Sequence, residues 1–148
     1  MRVGDVHVEA MRRLLTRDVE GFERIQAELG PAPSAANGAL ISAAFFKAAE
    51  RRFADGGTEA DAVAFVADLR ARSSQLAADL DPRIAERLLL ATFADEEIDD
   101  IGDEARGQHC LILLGGLIAD ASLSDAQLNA FLDDARKLAN EWLADDPR

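Results

Sequence analysis

The sequence predicts an all-α protein, a single-domain bundle of about six helices across residues 1–148 with a buried apolar helix near residues 110–119. Apolar residues recur every three or four positions, which places them on one face of a helix. No stretch alternates between apolar and polar residues as a half-buried strand does. Hydrophobic residues make up 49% of the chain and aromatic residues only 5%, so aliphatic side chains must fill the core.

The first two helices are predicted on either side of a proline-containing loop. One helix spans about residues 5–29, and Gly30-Pro31 ends it because glycine caps a helix and proline cannot continue one. Ser34 or Asn37 caps the second helix, which runs to about residue 53 before a pair of glycines. The apolar stripe of the first helix is Val8, Met11, Leu15, Val19, Phe22, Ile25 and Leu29.

Capping signals predict where the third and fourth helices begin. Thr58, with Asp61 three residues later, has the form of a capping box in which Asp replaces the usual Glu. The helical pattern weakens at residues 73–74, where the third helix either stops or frays onward. Asp81 followed by Pro82 predicts the next start, because Asp is favoured at the N-cap and proline at the first helical position.

A helix predicted over residues 95–121 is interrupted by glycines. Each interior glycine costs about 0.5–1 kcal/mol relative to alanine, so we expect this helix to be kinked or broken. Residues 81–121 therefore form either two or three helices. Residues 110–118 are apolar all round, which predicts the most buried helix of the bundle, with close helix packing at its glycine pair. The interrupting residues are Gly102, Gly107, Gly115 and Gly116.

The last helix is predicted to begin after Ser124, with Gln127 completing a capping box. Its apolar residues step by three and four positions, a heptad pattern that suits packing within the domain or against a second copy. We therefore assign self-association, in a homodimer, to four residues of this stripe. They are Leu128, Phe131, Leu138 and Trp142, and Ala135 lies between them.

Charge is distributed unevenly along the chain. The formal net charge is −12, and residues 75–148 carry 17 of the 28 acidic side chains but only 6 of the 16 basic ones. This balance argues against nucleic acid as a partner, because phosphate binding needs a basic surface. It predicts either a basic protein partner or a strongly hydrated surface.

The densest acidic cluster comprises Asp95, Glu96, Glu97, Asp99, Asp100, Asp103 and Glu104. If this stretch is helical, three of its carboxylates stack on one face, where their mutual repulsion would be offset by Mg²⁺ or by a basic partner. We assign the candidate metal ligands to Glu97, Asp100 and Glu104. We assign partner binding to Asp95, Glu96, Asp99 and Asp103. The third interpretation is a solvated face near a helix N-terminus.

Two carboxylate pairs resemble those of a known enzyme family. The pairs are Glu20-x-x-Glu23 and Glu97-x-x-Asp100. They are similar to the E-x-x-E and E-x-x-D pairs with which all-α nucleotide pyrophosphohydrolases bind Mg²⁺ on adjacent helices. In that family the pairs lie close in sequence, whereas here they are far apart. The resemblance implies a Mg²⁺-dependent hydrolase of a phosphorylated small molecule.

Other catalytic motifs are missing from the sequence. Zinc, dinucleotide, P-loop and serine-hydrolase motifs are absent. His109 and Cys110 are neighbours, and adjacent helical residues point about 100° apart, which is poor geometry for a catalytic pair. We expect Cys110 to be a core residue. With no cofactor required, the favoured hypothesis is a non-catalytic interaction or regulatory protein, and the alternative is the Mg²⁺-dependent hydrolase.

Cysteine content and hydropathy predict the compartment. A single cysteine excludes an intrachain disulfide and favours a reducing compartment. The first residues lack the apolar core of a signal peptide, and the longest apolar run is about half of the ~20 residues that a membrane span needs. We expect a cytoplasmic protein that does not bind membranes. Its alanine-rich, lysine-poor composition is typical of a bacterial source.

Overall fold

The computed structural model describes residues 2–29, 35–53, 57–94 and 96–145. Within these residues the chain forms eight α-helices and no β-strand, which confirms the all-α class, although the helices are more numerous than predicted. The helices are α1 (Asp5–Leu15), α2 (Val19–Leu29), α3 (Ala35–Phe53), α4 (Glu59–Ala71), α5 (Ser74–Asp79), α6 (Pro82–Phe93), α7 (Asp103–Ala121) and α8 (Asp125–Asp145).

The Cα positions cluster into two compact units. Unit 1 comprises residues 1–47 and 121–148, and unit 2 comprises residues 48–120. The single-domain organisation therefore stays a prediction. Three residues assigned to helix ends and caps, namely Gly30, Pro31 and Ser34, lie outside the described residues, as does Gly56, the first of the two glycines predicted to follow the second helix.

The predicted first helix is wrong as one segment, because the chain breaks between α1 and α2. Arg17 adopts a left-handed conformation with φ of 62°, which a continuous helix does not allow. On one side of the break, the Thr16 hydroxyl donates a hydrogen bond to the Arg12 carbonyl at 2.8 Å. On the other, Asp18 Oδ1 accepts one from the Gly21 N–H at 3.0 Å. Such local side-chain bonds compete with helix continuation, and α2 packs back on α1.

The N-terminal segment of unit 1 is held on α8. Asn140 Oδ1 accepts a hydrogen bond from the Val3 N–H at 2.8 Å, and Arg136 Nε donates one to the Val3 carbonyl at 3.1 Å. A second Arg136 nitrogen pairs with Asp5 at 2.6 Å. The Val3 side chain is only 1% exposed, so the segment also contributes to the apolar core of this unit.

The predicted helix starts at Thr58, Asp81 and Ser124 are confirmed by their capping bonds. Thr58 and Asp61 form the reciprocal capping box of α4. Asp81 Oδ1 accepts hydrogen bonds from two N–H groups in the first turn of α6, where Pro82 is the first residue. In α8, Gln127 N–H donates to Ser124 Oγ at 3.2 Å and Ser124 N–H donates to Gln127 Oε1 at 2.9 Å.

The end of the third predicted helix is also resolved. Ala71 is the last residue of α4, and Ser73 caps the separate short helix α5 by accepting a hydrogen bond from the Leu76 N–H at 3.0 Å. Side-chain capping by a serine thus ends the helical pattern where the sequence weakens.

Residues 81–121 form two helices, α6 and α7, which answers the question that the sequence left open. The apolar stretch near residues 110–119 belongs to α7, whose buried face includes Leu113, Leu114 and Leu117. At Gly116 an added Cβ would lie 2.9 Å from Leu69 Cδ1, so this glycine leaves room for the Leu69 side chain of α4 against the α7 backbone. At Gly115 an added Cβ would meet open space. Of the two adjacent glycines, only Gly116 therefore has the predicted role in packing.

Candidate functional site

The predicted acidic cluster forms a loop that leads into α7. We define the acidic segment as residues 96–104, since Asp95 lies outside the described residues. Residues 96–102 are not helical, and α7 begins at Asp103. The condition for Glu97, Asp100 and Glu104 to stack on one face, a helix through all three residues, is therefore not met. Repulsion between like charges, together with Gly102 at the boundary, favours the loop over a helix.

Arg87 on α6 holds the acidic segment. Its guanidinium pairs with both oxygens of Asp100, at 2.9 and 2.7 Å, and its Nε donates to Glu96 Oε1 at 2.9 Å. The same guanidinium donates a further hydrogen bond to the backbone carbonyl of Glu97. A planar guanidinium is suited to such bidentate binding of a carboxylate, so one side chain positions three residues of the loop.

These ion pairs change the acidity of their members. The hydrogen bond from Arg87 holds the pKa of Asp100 below its ordinary value, because it stabilises the ionised carboxylate. Hydrogen bonds from Asp100 and then Glu96 raise the pKa of Arg87 above its already high value. Asp100 and Arg87 are therefore both charged at neutral pH, and each neutralises part of the other.

Three carboxylates of the acidic segment remain without a counter-charge. Glu97, Asp99 and Glu104 are exposed, and none of them forms an ion pair with a described residue. Asp103, whose side chain is 95% exposed, pairs with Arg106 one turn along α7. The segment thus presents uncompensated negative charge to solvent, while its backbone is held by Arg87.

The candidate metal ligands are not brought together. Within the part of the chain that the structure describes, no three His, Cys, Asp or Glu side chains are grouped so that they could hold a metal ion. Asp100 is bound by Arg87 instead. In the resemblance to pyrophosphohydrolases, Glu20 and Glu23 do lie on α2, but residues 97–100 lie in a loop. The second pair therefore lacks the helical spacing on which the resemblance depends.

A cavity of about 410 Å³ lies next to the acidic segment in unit 2. We call it the α4–α6 cavity, because it is formed where α4 begins and α6 ends. Its described lining residues are Gly57, Thr58, Glu59, Leu90, Phe93, Ala94 and Glu96. The lining combines the carboxylates of Glu59 and Glu96 with an apolar wall. No arginine, lysine or histidine is among its described residues. It is in the size range of small-ligand sites.

A second cavity of about 390 Å³ shares Gly57 with the α4–α6 cavity as a lining residue. It is lined by Asp61 and Asp68 but also by Arg52, whose guanidinium carbon lies 5.6 Å from the centre of the Phe65 ring. That distance is within the range of a cation–π contact. This cavity is therefore already occupied in part by the chain's own cation.

The apolar stripe of α8 serves mainly the core of unit 1. Leu128 and Phe131 are each 7% exposed, and Leu138 is half-buried. The inner face follows the 3.6-residue helical period, so it turns from Leu138 toward the fully buried Ala139. Of the four residues assigned to self-association, Trp142 is the most exposed at 38%, and its ring meets Phe46 edge-to-face with centroids 6.2 Å apart. Self-association stays a prediction.

His109 and Cys110 both have structural positions in α7. His109 is 6% exposed; its Nε2 accepts a hydrogen bond from the Asp81 N–H at 3.0 Å, and its Nδ1 lies 2.7 Å from the Ala105 carbonyl. The ring therefore carries its proton on Nδ1 and links α7 to the start of α6. Cys110 is buried, which raises the pKa of its thiol to about 12 and leaves it in the unreactive form.

Arg87 is the residue that sequence reasoning missed. A signal for it existed: besides Arg87, only Arg106 carries a positive charge between residues 84 and 108, a stretch rich in carboxylates. A lone arginine shortly before a run of acids is a candidate to pair with them.

No protein-family model, curated protein or solved structure matches the chain. In residues 2–29, 35–53, 57–94 and 96–145, every helix is too short or too polar to traverse a bilayer.

Proposed function

We propose that the chain is a non-catalytic interaction protein whose acidic segment binds a basic protein partner. The observation that supports this proposal is the combination of a loop fixed by Arg87 and three exposed carboxylates without counter-charges. A fixed loop loses little conformational entropy on binding, and uncompensated charges attract a partner of opposite sign from a distance. The expected partner residues are lysines and arginines.

The positions of Cys110 and His109 agree with a non-catalytic role for the chain. The thiol of Cys110 is buried, and both ring nitrogens of His109 are engaged by backbone groups. A general base must reach the proton that it removes, and a thiol nucleophile must ionise. The single cysteine supports our placement of this interaction in the cytoplasm.

Binding of a fluorescein-labelled deca-arginine peptide tests the proposal, with affinity measured by fluorescence anisotropy. The test variant combines Glu97→Gln, Asp99→Asn and Glu104→Gln. The matched control combines Asp133→Asn, Asp134→Asn and Glu141→Gln, which removes equal charge from exposed positions of α8. Each exposed pair contributes up to about 1 kcal/mol, so we expect the test variant to bind about tenfold more weakly at low salt.

The control variant distinguishes binding by the acidic segment from attraction by the net charge of the protein. We expect its affinity to fall much less, and the affinity of the wild type to fall as salt is added because exposed charges are screened. Equal losses in the two variants would mean that the peptide responds to net charge alone, and the acidic segment would then lose its assigned role.

A further inference from the structure

The α4–α6 cavity has an apolar wall beside the acidic segment. Leu90 and Phe93 are half-buried in the last turn of α6, and Ala94 follows them at the surface. Phe93 is held by a tilted ring contact with Phe53, with centroids 5.1 Å apart. This wall offers contact to an aliphatic chain that reaches into the cavity.

Every charge that the described lining contributes is negative. Glu59 is exposed at the start of α4 and forms no ion pair with a described residue. Glu96 gives only Oε1 to Arg87. The last turn of α6 contains no basic residue, so no side-chain cation in that turn offsets the partial negative charge at its C-terminal end. The cavity is therefore complementary to a cation.

We propose that the α4–α6 cavity receives an arginine or lysine side chain of the basic partner. Both side chains lay their methylene stems along apolar surface while keeping the charged head near water and carboxylates. The stem packs on Leu90 and Phe93, and the head lies near Glu59 and Glu96. This proposal rests on the proposed function and adds the residue type that anchors the partner.

The cavity lined by Arg52 makes a useful contrast. There the chain's own guanidinium lies over Phe65, and Asp68 accepts a hydrogen bond from Arg72 at 2.8 Å. An incoming cation would compete with both. In the α4–α6 cavity no described arginine lines the wall, Glu59 forms no ion pair with a described residue, and Arg87 engages only one oxygen of Glu96, which is why we assign the partner's side chain to this cavity.

An NMR titration of the ¹⁵N-labelled full chain tests the proposal with Nα-acetyl-arginine methylamide as the probe. We expect amide shifts confined to the cavity lining, at Gly57, Thr58, Ala94 and Glu96, and saturating at millimolar probe. Two further probes separate the contributions: Nα-acetyl-norleucine methylamide has a similar stem without charge, and methylguanidinium has the charge without the stem. Each should give smaller shifts. Equal shifts from methylguanidinium, or no localised shifts, would overturn the proposal.

Two variants complete the test. Glu59→Gln removes charge at the cavity, and we expect it to weaken binding of the arginine probe about threefold. Asp133→Asn is the control: it removes an exposed charge of α8, which contributes none of the described lining of the cavity, and it should leave probe binding unchanged. Equal weakening by both variants would refute the assignment.

The two proposals can fail separately. If deca-arginine binding depends on the acidic segment but the arginine probe does not shift the cavity amides, only the cavity proposal falls. If the probe binds the cavity but deca-arginine binding ignores the acidic segment, the proposed function falls instead.

Discussion

The two units each use an arginine on a helix to hold a non-helical segment, but the bonds that it makes differ. In unit 1, Arg136 and Asn140 bind the backbone of Val3, whose side chain is buried, and Arg136 adds a single ion pair with the exposed Asp5. In unit 2, Arg87 binds mainly carboxylates, those of Glu96 and Asp100. Neutral backbone bonds and apolar burial are not weakened by charge screening, whereas exposed ion pairs weaken as ionic strength rises.

This difference separates a segment that belongs to the core from one that presents charge. The N-terminal segment contributes a side chain that is 1% exposed, and its position depends on packing. The acidic segment contributes Ile101, 7% exposed, but most of its side chains are charged and face solvent. A surface that forms ion pairs with a partner must keep its charged side chains exposed, as the acidic segment does.

The largest expected effect concerns the buried polar link in unit 2. His109→Ala removes the acceptor of the Asp81 N–H and leaves a cavity in α7, so we expect the free energy of unfolding to fall by about 3 kcal/mol. Urea denaturation followed by far-UV circular dichroism measures it. The control is Gln108→Ala, an exposed neighbour on the same helix. A loss for His109→Ala no larger than that of the control would show that the link contributes nothing.

A smaller effect is expected from the apolar anchor in unit 1. Val3→Ala removes two buried methyl groups, which should lower the free energy of unfolding by about 1.5 kcal/mol. Val6→Ala removes the same groups from a side chain that is 37% exposed, so its effect should be clearly smaller. Thermal or urea unfolding of both variants makes the comparison. Equal losses would mean that the N-terminal segment is not docked as described.

What the sequence predicted well is local. The capping residues Thr58, Asp81 and Ser124 act within three residues of their own positions, so their roles follow from the pattern. The glycine at 116 was likewise identified as a packing position, although its contact with Leu69 lies on another helix. Helix class and most helix starts therefore depend on short-range chemistry.

What the sequence did not predict depends on competition between interactions. The break at residues 16–18 arises because Asp18 caps α2, against an apolar stripe that would continue through it. The acidic segment was expected to be helical, yet Arg87 draws its carboxylates into a loop. The periodicity of apolar residues indicates where a helix is favourable. It does not show whether a side chain elsewhere in the chain will stabilise a break or a loop at that place instead.

Of the two segments, salt and acid should act on the acidic segment alone. This is the smallest expected effect on the stability of the fold, and it separates the acidic segment from the N-terminal segment most directly. The Ile101 N–H donates to the Ile98 carbonyl at 3.0 Å within this segment, and the Val3 N–H donates to Asn140 in unit 1. Hydrogen-exchange protection of these two amides reports on the two segments separately. Raising the salt concentration should lower protection of Ile101 about threefold and leave that of Val3 unchanged.

Acid should act on the same segment through Asp100. Its pKa is lowered in the folded chain, so its stabilising effect is present above the ordinary carboxyl pKa of about 3.9 and is lost as the pH falls below that value. Arg87→Gln should remove the salt dependence of Ile101 protection and reduce its acid dependence, because it removes the largest cause of the lowered pKa of Asp100 and leaves only a backbone hydrogen bond that lowers it. The pH dependence is measured as a protection factor, which corrects for the intrinsic exchange rate. If Ile101 kept its salt response in Arg87→Gln, the ion pairs of Arg87 would not be what holds the acidic segment, and the contrast between the two units would have to rest on packing alone.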